Sequence, residues 1–213
     1  MHIRPSKLLW MLLSVAILGC RDSIGPSVRM PSNAAPGVNI IARLDCSAEI
    51  RTNIVTCAAA RPERSANGPS LGLLGTGQIK VRSFNVSSDT INGILQADVD
   101  VANLLPEVVG TLDGTTVTGI KVFHHSGPTV TKYFNVGDTG RVVVHNAEGY
   151  RFFTNPNQPY FQYDTILATN DTSAAKLWQW KYSRTVSNFA FTLMVEANLP
   201  SEARVPGYPP DTV

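Results

Sequence analysis

The sequence predicts an all-β fold in which two antiparallel sheets pack face to face as a sandwich. Short stretches of alternating apolar and polar residues recur from residue 40 to residue 197, and turn residues separate them at short, even intervals. No stretch sustains the 3.6-residue periodicity of a helix, and strands do not alternate with helices as they would in a parallel sheet. We expect about nine or ten strands. A closed barrel is the alternative architecture.

The first 20 residues have the composition of an export leader. Arg4 and Lys7 precede an apolar run at residues 8–18, and Cys20 closes the segment. A membrane-spanning helix needs roughly 20 apolar residues, so an ordinary transmembrane helix is disfavoured. Residues 17–20, Ile-Leu-Gly-Cys, resemble a bacterial lipobox, in which the leader is cut before the cysteine and that cysteine carries lipid. We favour this over a plain secretory signal; a retained leader would be a short membrane anchor.

Composition divides the rest of the chain into three regions. Residues 21–37, which are rich in proline, glycine and serine, are predicted to be an extended tether. Residues 38–199 form one domain, which is long enough to bury a core without a structural metal. Residues 200–213 are a proline-rich C-terminal tail that cannot pair as the interior of a strand. The leader, the tether and the tail would thus flank a single sandwich domain.

Charge argues against nucleic acid as a partner. The chain has 18 basic and 16 acidic residues, but two of the basic ones, Arg4 and Lys7, belong to the leader. The remainder therefore carries no net formal charge. Nucleic acids and acidic surfaces attract proteins through an excess of positive charge, so neither is expected to bind here.

The clearest strands form a hairpin at the start of the domain. Along residues 40–51 every second residue is apolar and those between are mostly charged, which is typical of a half-buried strand. Thr52 and Asn53 supply a turn, and residues 54–60 return as the partner strand. This pairing brings Cys57 opposite Cys46.

The three cysteines fall into one lipid site and one pair. Once Cys20 is assigned to lipid, Cys46 and Cys57 remain as a natural disulfide in an oxidising compartment. A disulfide that closes so short a loop stabilises the fold by about 3 kcal/mol on the chain-entropy model. The alternative is two unpaired buried thiols.

The other strands follow from the same alternation. In the first of them the alternation slips by one residue near Ser83, as it does at a β-bulge. Ser126-Gly127-Pro128 is expected to break a strand, and residues 61–77, 104–117 and 155–173 are expected to be irregular. The further strands are predicted at residues 79–86, 95–102, 120–125, 130–136, 141–145, 150–154, 177–182 and 189–197.

Histidines are the most tempting catalytic or metal-binding candidates. His124 and His125 are adjacent on a predicted strand, so their side chains point to opposite faces and cannot easily share one ion. A pair of His124 and His145 with Asp138 could be built, but no spacing specifies it. We therefore expect neither a metal nor a cofactor.

No other arrangement of residues indicates catalysis. The sequence contains no Gly-x-Ser-x-Gly elbow. Asp98 and Asp100 fall on the predicted solvent face of a strand, where charges serve solubility. Asp113, Asp138 and Glu148 lie in predicted turns, where aspartate is selected for backbone geometry.

Aromatic residues are the candidates for a binding surface. Trp178 and Trp180 project from one face of a predicted strand, and Tyr160 and Tyr163 lie in the preceding loop. Such rings could stack on a sugar or anchor a protein partner, as could Tyr208 in the tail. A core position is favoured for the tryptophan face, because the opposite face carries Gln179 and Lys181.

Five motifs carry a resemblance to a known group of proteins. They are CSAEIR at 46–51 with Cys57, GTLDGT at 110–115, KVFHHSGP at 121–128, QPYFQY at 158–163 and KLWQW at 176–180. With these motifs the chain resembles exported, lipobox-bearing bacterial β-sandwich proteins without assigned activity, over roughly residues 45–197. The resemblance implies an immunoglobulin-like sandwich and an extracytoplasmic location, and it offers no catalytic residue; the tail after Leu199 is not part of it.

These features predict a binding protein rather than an enzyme. We expect a membrane-tethered protein of the periplasm or cell surface that docks as an extrinsic accessory or scaffold subunit on a larger membrane complex, for example a photosynthetic or respiratory one. A surface lipoprotein that binds carbohydrate through exposed aromatic rings is one alternative. A hydrolase built on His124 or His145 is another.

Overall fold

The computed structural model describes residues 39–60 and 77–200. This part of the chain consists of strands and loops, and it includes no helix that could cross a membrane. The predicted leader with Cys20, the tether at 21–37, the loop at 61–76 and residues 201–213 with Tyr208 lie outside the described residues. The strands are β1 (Ile40–Glu49), β2 (Ile54–Ala59), β3 (Ile79–Asp89), β4 (Ile94–Asn103), β5 (Ile120–Tyr133), β6 (Val142–Val144), β7 (Gly149–Arg151), β8 (Gln158–Tyr163), β9 (Lys176–Tyr182) and β10 (Val186–Ala197).

The strands form two antiparallel sheets, as predicted. The six-stranded sheet has the order β2-β1-β10-β5-β8-β7, and the four-stranded sheet has the order β3-β4-β9-β6. The two sheets are separate, so the alternative of a closed barrel is wrong. Their inner faces pack together into one apolar core, with Trp180, Leu95 and Phe189 fully buried.

The first hairpin is confirmed in detail. β1 pairs with β2 in the register that places Cys46 opposite Cys57, and the two sulfurs are joined in a disulfide. Every second residue of β1 from Leu44 to Ala48 is buried, and Asp45 and Ser47 between them are exposed. The alternation in the sequence therefore located both the strand and its buried face.

Two predictions about irregular segments are wrong. Ser126-Gly127-Pro128 does not break a strand, because β5 runs through it while its register with β10 shifts nearby. Gly127 makes this passage possible at a φ of +77°, and a Cβ there would lie 2.8 Å from the Ala190 carbonyl oxygen. The predicted irregular region 155–173 contains β8, whose alternation was obscured by Pro159 and the surrounding turn residues.

The β-bulge lies slightly later than predicted. The register between β3 and β4 shifts between Phe84 and Ser87 rather than at Ser83. Asn85 has a positive φ of 51° in this stretch, a conformation that asparagine tolerates better than most residues. The slip in alternation thus identified the bulge to within a few residues.

A second, smaller apolar cluster lies on the outer face of the six-stranded sheet. Phe123 points outward from β5 and is nevertheless fully buried, because Phe153 stacks on it with ring centroids 4.2 Å apart. Ile40 and Met194 complete the cluster, and Tyr160 packs against it. The segment after β7 therefore covers part of a sheet face that would otherwise be exposed.

The two ends of the sandwich carry different parts of the chain. At the end that we call the proximal pole, Asn39 Nδ2 donates to Asn198 Oδ1 across 2.9 Å, so the described domain begins and ends side by side. At the opposite end, the distal pole, the β1–β2, β3–β4 and β9–β10 turns meet. The 10 residues of β1 separate the poles by roughly 30 Å.

Candidate functional site

The predicted aromatic surface is largely buried. Trp178 is 1% exposed and Trp180 is not exposed at all, and the Trp178 ring stacks on Phe161 with centroids 4.2 Å apart. Tyr163 is buried too, and its hydroxyl donates to the Val99 carbonyl oxygen across 2.9 Å. These three rings cannot stack on a sugar or a partner, so that interpretation of them is wrong, and the favoured core position of the tryptophan face is confirmed.

Tyr160 is the one ring of this group in the described residues that stays half-buried. It lies against Phe153 in an edge-to-face contact, with centroids 5.6 Å apart. Tyr160 therefore covers one side of the small outer cluster. A single partly covered ring does not make the aromatic platform that sugar binding requires.

The histidines are separated from one another. His124 is 2% exposed and faces the core, where Trp180 Nε1 donates to its Nε2 across 3.4 Å. His125 lies on the other face of β5, where its Nδ1 is 2.8 Å from Thr154 Oγ1, and His145 is exposed after β6. Within the described ranges no three histidine, cysteine or acidic side chains are grouped as metal ligands.

Burial controls the charge of His124. Its surroundings are aromatic, with Phe191 5.2 Å away between ring centroids, and desolvation lowers its pKa to about 3. The imidazole is therefore neutral at ordinary pH. A substrate cannot reach it through the core.

One predicted surface carboxylate is buried. Asp100 is 6% exposed, and both of its oxygens accept hydrogen bonds from Arg82, from Nε across 2.8 Å and from Nη2 across 2.7 Å. The expectation that Asp100 lies on a solvent face is wrong, because β4 is covered on both faces over its last residues. Asp98 is only partly covered, and its Oδ2 accepts from Asn85 Nδ2 across 2.9 Å.

Asp113 has the turn role that the sequence predicted. Its Oδ1 accepts from the backbone amides of Thr115 and Thr116, and its Oδ2 accepts from the Thr116 hydroxyl. These hydrogen bonds hold the pKa of the carboxyl well below its usual range. The carboxylate is engaged by its own turn.

The distal pole holds a cavity of about 390 Å³, which we call the distal cavity. It opens between the two sheets where their turns meet, and the residues that form it come from four separate stretches of the chain. Its size is that of a pocket for a small molecule. The lining residues are Ile50, Arg51, Ser88, Thr90, Phe134, Tyr182 and Arg184.

Turn chemistry shapes this cavity. Asp89 Oδ1 accepts from the backbone amides of Ile91 and Asn92, which closes the β3–β4 turn. Gly93 then adopts a φ of +65°, and a Cβ at that position would lie 2.5 Å from the Tyr182 carbonyl oxygen. The turn is therefore pressed against the end of β9.

Two guanidinium groups line the distal cavity. The Arg51 group lies 4.6 Å from the ring centroid of Phe134, and Arg184 Nη2 donates to the Ile91 carbonyl oxygen across 2.5 Å. Among the described residues neither arginine forms an ion pair with a carboxylate. Their positive charge is therefore not neutralised by direct contact.

Tyr182 lines the same cavity and has a buried hydroxyl. The residue is 5% exposed, and its hydroxyl oxygen has no hydrogen-bond partner among the described residues. Burial raises the pKa of the phenol, the Asp89 charge raises it further, and Arg184 opposes them. The hydroxyl is therefore protonated at neutral pH and able to donate.

Sequence reasoning missed this site. Arg51 and Arg184 are 133 positions apart, a spacing that matches no motif, and both stand beside turns where a charged residue is ordinary. The only local signal is the pair of arginines next to turn residues, which becomes informative once the strand order is known.

Comparison with known proteins finds no matching family model, no matching curated protein and no matching solved structure.

Proposed function

We propose that this chain is a non-enzymatic, extracytoplasmic protein that is tethered to a membrane through its N-terminus and works by binding. The observation that carries the proposal is the opposition of the two poles. The described domain connects to residues 1–38 and to residues 201–213 at the proximal pole, beside Asn39 and Asn198. The distal cavity lies at the other end. A tether at residues 21–37 would hold the proximal pole toward the membrane and leave the cavity facing away.

The compartment part of the proposal is supported by cysteine chemistry. The disulfide between Cys46 and Cys57 joins neighbouring strands of one sheet and is the kind of bond that persists in oxidising compartments. The leader and the lipobox-like sequence that ends at Cys20 also indicate export from the cytoplasm. We propose lipid attachment at Cys20 and a location in the periplasm or at the cell surface.

The finer assignment of the fold belongs to this proposal too. An immunoglobulin-like sandwich is supported by two antiparallel sheets with Trp178 and Trp180 between them. The disulfide differs from that of antibody domains, which joins the two sheets, since Cys46 and Cys57 both belong to the six-stranded sheet. The likeness is therefore proposed for the architecture and not for the cysteine pattern.

The partner that we propose is a larger membrane protein complex, to which the domain attaches as an extrinsic accessory or scaffold subunit. A tethered binding domain needs a partner within reach of its membrane, and a complex embedded in that membrane meets this condition. The buried position of His124 supports a role without catalysis, because the imidazole lies among core aromatic rings.

Membrane fractionation tests the tether. The full chain is expressed in a bacterium and compared with Cys20→Ala, in which lipid cannot attach. We expect the full chain in the membrane fraction with a mass that includes lipid, and the variant in the soluble extracytoplasmic fraction with its disulfide intact. Ser23→Ala, three residues further on, is the matched control and should behave as the full chain. A full chain that is soluble and carries no lipid would contradict the tether.

A pull-down in mild detergent tests the partner. The tagged full chain is isolated from membranes of its own source, and everything retained is identified by mass spectrometry. Stoichiometric integral membrane subunits would support an extrinsic subunit. Recovery of the chain alone, with lipid on Cys20, would contradict that part of the proposal.

A further inference from the structure

We infer that the distal cavity binds a small organic oxyanion, a molecule with an apolar or aromatic body that ends in a carboxylate or phosphate group. This inference names a ligand class for the proposed binding function, and it rests on that proposal only for the direction in which the cavity faces. The reasons are the donors at the cavity wall and the apolar surface between them.

The polar side chains of the distal cavity are all able to donate hydrogen bonds. Arg51 and Arg184 bring two positive charges, and Ser88 and Thr90 bring hydroxyl groups. A guanidinium donates only, and its planar arrangement of N–H groups fits the oxygens of a carboxylate or phosphate. Hydrogen bonds between charged partners are roughly twice as strong as neutral ones. The wall therefore suits a ligand that only accepts.

Arg51 packs against an aromatic ring at the cavity wall. Its guanidinium carbon lies 4.6 Å from the centroid of Phe134. A cation–π contact of this kind needs no hydrogen-bond acceptor. Phe134 thereby supports the cation without using its donors.

The apolar part of the cavity determines the body of the ligand. Ile50, Phe134 and the ring of Tyr182 give an apolar surface beside the donors. The volume of about 390 Å³ lies in the range of small-molecule pockets and exceeds what one inorganic anion fills. A ligand with both an anionic end and an apolar body uses the two kinds of surface.

The nearest carboxylate does not oppose this ligand strongly. Asp89 is directed into its own turn, where Oδ1 accepts from the amides of Ile91 and Asn92 and Oδ2 accepts from the Asn92 side chain. Lys181 and Arg184 also lie near this pole, and Lys181 Nζ donates to the Asn92 carbonyl oxygen across 2.6 Å. Two positive side chains, Lys181 and Arg184, therefore lie at the same pole as this carboxylate.

Calorimetric titration tests the inference. The full chain, purified in mild detergent, is titrated with phenyl phosphate, with benzoate and with inorganic phosphate, and benzylamine serves as a cation of similar size. We expect phenyl phosphate, benzoate or both to bind, inorganic phosphate to bind more weakly, and benzylamine not to bind. The aromatic anion that binds more tightly identifies the preferred end group, phosphate or carboxylate.

Charge-removing variants locate the site. Arg51→Gln and Arg184→Gln should each weaken binding about tenfold or more, because each removes a charged donor. Arg141→Gln is the matched control, since Arg141 is exposed near the same pole and does not line the cavity. It should change the affinity little. Thermal unfolding of each variant establishes that the fold is retained.

Four results would overturn the inference. The first is no binding of either aromatic anion by the folded chain, and the second is an affinity of Arg51→Gln and Arg184→Gln equal to that of the wild type. The third is a loss of affinity in Arg141→Gln as large as in those two variants, and the fourth is inorganic phosphate that binds as tightly as phenyl phosphate. Such failure would not affect the tether, which is judged by fractionation and mass. Failure of the tether would likewise leave anion binding in solution intact.

Discussion

The indole Nε1 of Trp180 donates to Nε2 of His124 across 3.4 Å in the middle of the sandwich. The donor comes from the four-stranded sheet and the acceptor from the six-stranded sheet, so this polar contact joins the two sheets inside an apolar core. The contact requires an unprotonated Nε2. The neutral state of His124 is thus part of the folded structure.

Acid should destabilise the protein through His124. Its pKa is about 3 in the fold and 6.5 in the unfolded chain, so the unfolded state gains a proton first as the pH falls. The stabilising effect is fully present above about pH 6.5 and is lost below it, by about 1.4 kcal/mol for each pH unit. Between about pH 6.5 and pH 5 the free energy of unfolding should therefore fall by about 2 kcal/mol. Urea unfolding at several pH values measures this.

The variant His124→Gln isolates that effect. Glutamine keeps an acceptor for Trp180 and does not titrate, so the decline above about pH 5 should largely disappear. His145→Gln is the matched control, because His145 is exposed and the wild-type decline should remain. A decline of the same size in His124→Gln would show that another group causes it.

The disulfide should stabilise the domain as a covalent link. Cys46 and Cys57 are 11 positions apart, and closing a loop of that size contributes about 3 kcal/mol on the chain-entropy model. Replacing both cysteines with alanine should lower the free energy of unfolding by about that amount. Chemical reduction should have a similar effect on the wild type and none on the double variant. An equal effect of reduction on both would place the sensitivity elsewhere.

The pair of Arg82 and Asp100 should be coupled. The carboxylate is buried and the guanidinium is half-exposed, so solvent weakens the interaction from the arginine side. Arg82→Met should destabilise the domain by about 1 to 2 kcal/mol, because it leaves Asp100 short of donors. The double variant with Asp100→Leu should be less destabilised than the two single effects added together. Strict additivity in the double-mutant cycle would refute the coupling.

The hairpin and the strand positions could be predicted because their physical cause is local. Apolar and polar residues alternate along β1 because one face of the strand contacts the core and the other contacts water. Adjacent residues of the sequence show that contrast. The same logic identified β4 and β9 and the buried side of Trp178. Cys46 and Cys57 followed from the turn between their strands.

Other features depend on residues far apart in the chain. Asp100 is buried because Arg82 and the segment around Thr172 cover it, which the alternation along β4 does not reveal. Phe123 is buried on the outer face of β5, and the residue that covers it, Phe153, is 30 positions away. The distal cavity is formed by turns that only the strand order brings together. Long-range pairing decides all three, and no single stretch encodes it.

The stack of Phe123 and Phe153 leads to a last prediction about the segment after β7. Three consecutive backbone amides, those of Phe153, Thr154 and Asn155, donate to Oε1 of Gln158. This hydrogen-bonded turn and the aromatic stack both hold the segment against the sheet. Phe153→Ala removes a fully buried ring, a change that typically costs 3 to 5 kcal/mol locally or globally. We expect the segment to open, with faster hydrogen exchange at the three amides.

Phe152→Ala is the matched control for that experiment. Phe152 is the neighbouring ring and is 49% exposed, so its removal should leave both the exchange rates and the stability close to those of the wild type. Exchange is measured by mass spectrometry or NMR on the folded protein. Faster exchange in Phe153→Ala that is confined to this segment would mean that the cover opens on its own, whereas a uniform increase would mean that the stack supports the whole domain. Unchanged exchange in Phe153→Ala would show that Gln158 holds the segment without the ring.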